Sequence, residues 1–293
     1  MLVIQILINS LVIGTQVLLL AAGLYLIQAV TKTYHIALGA IATAGAYTYY
    51  VLYGAGLSGW VALAAGLAGA GLISWLSFFL LRKYIDASQD LLALLSSLTL
   101  GVAMEALMGI IFGPEGRFLT KGVLPVYQLA GLHITKVGLW TIILGGVAAV
   151  SAFIFLYLLP WGRLIRAVAQ HRPCAAIMGI NENRVRQLVY LAAGLLAGAV
   201  GILSAMNNSV SPGAGLHPVI TAFIALLVGG IGDFRGTVIA SYLLVLIPEM
   251  IVSLGGGAVN FSVTWKMVFV FLLALFLLIL RPQGLFSSIN RQT

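Results

Sequence analysis

Charge is what this sequence has least of: Asp, Glu, Lys and Arg make up 8% of its 293 residues, against 61% hydrophobic side chains. A water-soluble domain of this length has too little interior to hide that much apolar surface, whereas lipid requires it, because a bilayer offers no water to solvate polar groups. A polytopic membrane protein is expected. Cysteine is nearly absent, and a lone Cys174 excludes an internal disulfide and a cysteine-based metal cluster. The four histidines, His35, His133, His171 and His217, lack the i, i+4 spacing of a zinc-binding helix. No G-x-S-x-G elbow is present, and Asp86, Asp90 and Asp233 stand at span edges rather than as the paired acids of a membrane prenyltransferase. The chain also lacks G-x-x-x-x-G-K-[ST], so it is not expected to hydrolyse ATP itself. Neither a catalytic centre nor a metal or cofactor is therefore expected, and any driving energy must come from a partner or an ion gradient. Acidic residues are scarcer than basic ones, 7 against 15, giving a net charge of +8. No soluble segment interleaves aromatic and basic residues as a nucleic-acid surface would, so topology and anionic lipid head groups explain that charge better.

What is abundant is long uncharged sequence. Runs of about 18 residues or more fall at 3–30, 36–53, 58–81, 91–112, 138–160, 188–206, 236–254 and 263–280. The first has neither a basic n-region nor a small-residue cleavage site and reads as a retained span. A ninth run, 218–231, has 14 residues. At 1.5 Å per residue it covers about 21 Å of a roughly 30 Å hydrocarbon core, so a half-span, a re-entrant element or one piece of a broken helix is expected. The fold class is all-α, with about 8–10 transmembrane helices including short or broken ones. The order long, short and Gly/Ala-rich, long, long occurs at 3–112 and again at 188–280. One linking span, 138–160, separates the two halves, so the second set would run in the opposite sense, as in an inverted repeat within one membrane domain covering 1–293.

The charge that exists is concentrated. Residues 161–187 carry Arg163, Arg166, Arg172, Arg184 and Arg186, five of the chain's 15 basic residues. Positive loops remain cytoplasmic. If every run crosses, the same side receives Lys32, Arg82, Lys83, Arg235, Arg281 and Arg291, while the other receives Arg117, Lys121 and Lys136, with Lys266 near it. The N-terminus is then outside and the C-terminus inside; a re-entrant ninth run would reverse everything after it. Within the loop, Pro173 suits the first turn of a short helix and Gly179 the left-handed residue just past its end. Such a piece could equally lay its arginines on anionic lipid.

Three stretches carry a resemblance. Arg163, Arg166-Ala167-Val168-Ala169-Gln170, Met178-Gly179-Ile180-Asn181 and Arg184-Val185 resemble the cytoplasmic coupling segment of LivH/LivM-type permeases of branched-chain amino-acid ABC importers. The second stretch is Pro212-Gly213, Ala222-Phe223, Leu227-Val228-Gly229-Gly230-Ile231-Gly232 and Gly236, with Glu249 in the next span. The third is His35 to Tyr47, where the family's usual Ala-His-Gly stands as Ala37-Leu38-Gly39 and the histidine lies three positions earlier. The tail from Arg281 to Phe286 also resembles the family's close. The resemblance implies that 173–179 is a coupling helix inserting into an ATPase cleft, with Arg163, Arg166, Ala169, Pro173, Ala175, Gly179, Ile180, Asn181 and Arg184 forming the coupling surface. It implies two cytoplasmic ABC ATPase subunits, a second permease copy or a homologous one in a heterodimer, an extracytoplasmic solute-binding protein, and a place in the bacterial inner membrane.

For the translocation route the candidates are His35, Gly39, Glu105, Phe223, Gly229, Gly230, Gly232 and Glu249. A charge at mid-bilayer costs about 2.5–3.5 kcal/mol on insertion scales, so Glu105 and Glu249 should face the bundle interior or a wet cavity. Close helix packing is an equally good role for Gly229 and Gly230, and a hydrogen-bonded structural role suits His35. Lys266, near a span end, is expected to snorkel to the interface. The rival reading is an ATP-independent channel or secondary transporter that uses Glu105 or Glu249 as an ion site; a scaffold without transport activity is a third.

Overall fold

A computed structural model of the chain describes residues 2–118, 126–129, 132–207, 209–255, 262 and 264–286; Lys121 and Arg291 lie outside them. The elements in chain order are α1 (Leu2–Thr31), α2 (Leu38–Gly54), α3 (Gly59–Asp86), α4 (Asp90–Phe112), a small hairpin of β1 (Val126–Leu129) and β2 (Leu132–Thr135), α5 (Lys136–Tyr157), α6 (Pro160–Gln170), α7 (Arg172–Ile177), α8 (Glu182–Asn207), α9 (Leu216–Gly229), α10 (Phe234–Gly255) and α11 (Trp265–Leu280). Six of these helices are long and apolar enough to cross a membrane. The protein is an all-α polytopic membrane protein, and its one described hairpin is a connection between spans.

Small residues set the packing. Lipid tails are as apolar as leucine, so helices in a bilayer associate through close contact rather than hydrophobic exclusion. Gly45 of α2 meets the Gly198 backbone of α8 and the Ala70 methyl of α3. Ser74 of α3 donates to the Tyr190 carbonyl of α8 at 2.6 Å. Around this wedge α3 packs on α8 and both enclose α2; on the other side α10 packs on α1 and both enclose α9. The core formed by these contacts is built from Leu19, Leu24, Ile27, Leu38, Ile41, Val189, Tyr190 and Ala225. Large apolar residues such as Leu91, Leu95, Val102 and Ile110 of α4 point outward, toward the hydrocarbon.

Two helices, α2 of 17 residues and α9 of 14, fall short of a full span. Helix α2 starts at Leu38 and α9 at Leu216, and their beginnings abut: a methyl on Gly39 would lie 2.6 Å from the Gly215 carbonyl oxygen. Ala37 packs against Gly101, near the middle of the 23-residue α4, so the two helices begin at half depth. The chain reaches these points through non-helical stretches, 32–37 on one side and 209–215 on the other. The short run 218–231 is thus the helical piece of a broken span, preceded by a non-helical lead-in.

Backbone without helical bonding is costly at membrane depth unless protein groups satisfy it. They do so here: Ile36 N–H donates to Ser97 Oγ at 3.2 Å, Ser97 Oγ donates to the Tyr34 carbonyl at 3.3 Å, and Thr33 N–H donates to Thr31 Oγ1 at 3.4 Å. On the opposite side Arg117 and Val210 exchange a pair of backbone bonds, each 2.8 Å.

The ends of the bundle follow. Lys32, just past α1, donates to the Ala169 carbonyl of α6 at 3.0 Å, and Tyr25 of α1 donates to the Gly232 carbonyl of the α9–α10 turn at 3.2 Å. The tail after α11 bonds back to Val228 and Gly229 through Leu285 and Phe286. The basic segment, Arg235 and Arg281 therefore share one end, which the positive-inside rule makes cytoplasmic. With the α9 run crossing, the second half keeps the orientation expected for an unbroken count.

Candidate functional site

Residues 160–181 form a helical hairpin. Pro160 opens α6 and turns the chain sharply off α5: Gly162 lies so close to the Phe155 and Leu156 carbonyls that any side chain there would collide. Ile165 and Val168 are buried while Trp161 and Arg163 remain exposed, which lays α6 along this end of the bundle with one apolar side down. The guanidinium of Arg166 donates to the Leu156 carbonyl and lies 5.3 Å over the Tyr157 ring, bracing that corner. At α7, the His171 ring accepts from Cys174 N–H at 3.5 Å, Pro173 occupies the first turn, and Gly179 takes φ +79° just beyond the end. Ala175 is buried and Ile180 packs on the core, anchoring the tip; Asn181 Oδ1 accepts from Arg184 N–H at 3.2 Å and starts α8. Pro173, Gly179, Asn181 and Arg184 are exposed.

The tip presents two side chains outside the candidate coupling surface, although Met178 stands in the motif itself. Ile177 is 87% exposed and Met178 67%, at the end of the bundle that carries the basic residues. Their signal in the sequence was present, two apolar residues next to a left-handed glycine, but a hydrophobic pair in a chain this apolar does not stand out.

A charge network fastens the hairpin to the spans. Arg186, with its side chain 5% exposed, reaches Asp86 of α3 and Glu182 of α8, both at 2.5 Å; Arg172 pairs with Glu182 at 3.3 Å and donates to the Val30 carbonyl of α1 at 2.9 Å. Burial, then the nearby Arg172 charge, hold the Lys32 ammonium below the ordinary lysine range. Ala169, through its carbonyl, is the hairpin's grip on Lys32.

At depth, the structure distributes the other candidates over several places. Gly39 and Glu105 line one groove with Ile36, Gly101, Leu216 and Val219, where the beginnings of α2 and α9 meet beside α4. Phe223 stacks edge-on to Tyr34 of the lead-in at 5.1 Å. His35 is buried, with Nε2 3.0 Å from Ser77 Oγ and its ring 5.1 Å from Tyr190, so it pins the lead-in to α3 and α8. Gly229, Gly230 and Gly232 lie at the inner end of α9: Gly229 against Gly236, Gly230 at φ +106° against Gly284, and Gly232 at φ +102° under Tyr25. Glu249 is elsewhere, in α10 directly after Pro248, paired with Lys266 of α11 at 2.6 Å. The lysine expected to snorkel outward turns instead to this carboxylate, because a buried anion without a partner is costlier than a cation held short of water.

Comparison with known proteins follows this geometry. The family model described as branched-chain amino acid transport system, permease component, matches residues 6–280. The high-affinity branched-chain amino acid transport system permease protein LivH of Escherichia coli (strain K12) is 23% identical over 292 residues, covering 94% of this chain and 93% of that protein. The probable branched-chain amino acid transport permease protein LivH of Methanocaldococcus jannaschii is 25% identical over 254 residues, covering 83% and 79%. Among solved structures, PsaBC from Streptococcus pneumoniae in complex with Fab shares the fold with a TM-score of 0.52 at 15% identity, over 94% of this chain and 91% of that one.

Proposed function

Because this chain belongs to the branched-chain amino-acid transport permease family, we propose that it is the membrane-spanning subunit of an ATP-driven importer of the bacterial inner membrane, carrying leucine-like amino acids or a similar small solute. Permeases of such importers work with ATPase and solute-binding partners. The finer composition we propose is two cytoplasmic ATPases, two permease subunits joined as a heterodimer or as copies of this chain, and an extracytoplasmic binding protein that delivers substrate at the end carrying Asn207 and Arg117. The chain itself is non-catalytic in this scheme, and its halves 3–112 and 188–280 act as an inverted repeat about the Gly39–Gly215 contact.

The observation that carries this reading is the exposed apolar tip of the hairpin. An Ile177–Met178 pair facing water has no reason to persist on an isolated cytoplasmic surface, and it has the form of a protein-docking anchor. From the tip, the connections run through the Ala169–Lys32 and Arg172–Val30 hydrogen bonds to the end of α1, and from there along the lead-in 32–37 to the start of α2. ATPase closure that draws the hairpin inward would pull on the segment that holds the half-depth junction, opening a route past Glu105 and Phe223. Arg163 and Arg184, both exposed, are placed to meet acidic groups around the ATPase cleft, whereas Arg166 supports the corner beneath.

Ile177→Asp/Met178→Asp leaves every packing contact of the spans in place. Co-purification with the ATPases and ATP-driven uptake should be lost, at a cost of about 2 kcal/mol or more for the docking, while membrane insertion is unchanged. Full uptake by this variant, or flux at the same rate without any ATPase, would refute the proposal.

A further inference from the structure

Glu249 and Lys266 stand in a chamber whose deeper part reaches the first turns of α9, where His217, Pro218 and Thr221 line it. Two contiguous cavities, of about 300 and 200 Å³, share Ile13, Gln16, Glu249 and Lys266 in their walls. The first is the more polar of the two and includes Asn9 and Asn207; Asn207 is held by Thr135 at 3.3 Å and Thr141 at 3.2 Å, which places this compartment at the outer end of the bundle. The second lies deeper along α10 and α11, and Val17, Val245, Met267 and Val270 make it predominantly apolar. Pro248, inside α10, has no N–H to give the Leu244 carbonyl, whose helical bond is therefore missing, and Leu244 lines the same chamber.

We propose that this chamber is a binding site for a zwitterionic amino acid with an aliphatic side chain, in which Lys266 takes the α-carboxylate, Glu249 takes the α-ammonium, and the deeper apolar cavity takes the side chain. The site rests on the permease reading above and gives it a specific place of contact. Two opposite charges held side by side match the two charges of the ligand head group. Glu249 is buried, its side chain 7% exposed, while Lys266 at 29% stays accessible from the chamber, so an incoming zwitterion exchanges one ion pair for two without leaving a charge unmatched. The Leu244 carbonyl and Gln16 supply further hydrogen-bonding groups for the ammonium. A ligand lacking either charge would leave Glu249 or Lys266 bound to nothing when it parts the pair, which makes the site selective for amino acids over the corresponding acids or amines.

The test compares the assembled complex with Glu249→Gln/Lys266→Met and with the reversed pair Glu249→Lys/Lys266→Glu, in nanodiscs for equilibrium binding and in proteoliposomes for uptake. L-leucine is the probe, with 4-methylpentanoate and 3-methylbutylamine as analogues that each lack one charge. Wild type should bind leucine and discriminate against both analogues by about tenfold or more. The neutral variant should lose that discrimination. The reversed pair retains an internal ion pair, so it should fold, yet lose leucine binding because the head group would be turned away from the apolar cavity. Leucine binding and uptake at wild-type level in either variant would overturn the site while leaving the importer reading intact. Equal wild-type binding of 4-methylpentanoate would also overturn it. Absence of ATP-driven leucine uptake by wild type would count against the substrate reading instead, and the binding comparison would still decide the site.

Discussion

Arg186 shows how much a single side chain can be asked to hold. Its side chain is buried while the carboxylates it meets reach solvent, and its two amino groups are committed to Asp86 and Glu182 on different helices. Arg82 and Arg172 remain beside those carboxylates, so removing Arg186 weakens the network without isolating its anions. Arg186→Met should therefore cost about 2 kcal/mol, the loss of charge-assisted hydrogen bonds rather than of a fully buried pair, read as a lower thermal midpoint in detergent. An unchanged midpoint would show that the network contributes only surface-level electrostatics. The sequence marked the arginines of this region by their density. It could not distinguish Arg163 and Arg184, which face solvent, from Arg186 and Arg166, which face the protein, because that distinction depends on where α3 and α5 end in space.

The elements that depart from regular helix are α2 and α9. Both are long enough in apolar sequence to suggest simple spans or half-spans, and both start at half depth where Gly39 meets Gly215. Only a residue without Cβ permits that approach, so Gly39→Val should force the helix starts apart. Overpacking of this kind costs about 1–3 kcal/mol, and the expected outcome is a folded, inserted protein whose ATP-driven uptake falls by at least an order of magnitude. Uptake at the normal rate would show that the junction is only scaffold. The 14-residue length of the α9 run announced a break. The equivalent break before α2 was less visible, because the run 36–53 is long enough to read as a whole span and only the hydrogen bonds of Ser97 and Ser77 reveal a non-helical lead-in held at depth.

For the molecule as a whole, the decisive quantity is which end faces the cytoplasm. Cys174, exposed on the hairpin, is a native reporter. In cells expressing the permease without its partners, a membrane-impermeant maleimide should label it in inverted vesicles and not in intact spheroplasts. A cysteine placed at Trp60, 74% exposed at the other end, in a Cys174→Ser background should give the opposite pattern. Labelling of Cys174 from outside would invert the topology and remove the coupling hairpin from the compartment where ATP is found.

Hydropathy and charge distribution by themselves determined the membrane class and the approximate spans, because each of these depends on the transfer of local sequence between water and lipid. Tertiary structure alone decided that two helices begin face to face inside the bilayer, that Arg186 is a buried clasp, that Ile177 and Met178 protrude, and that Glu249 finds Lys266. Those are contacts between residues far apart in the chain, and their energies exist only once neighbouring helices have excluded both lipid and water from the space between them.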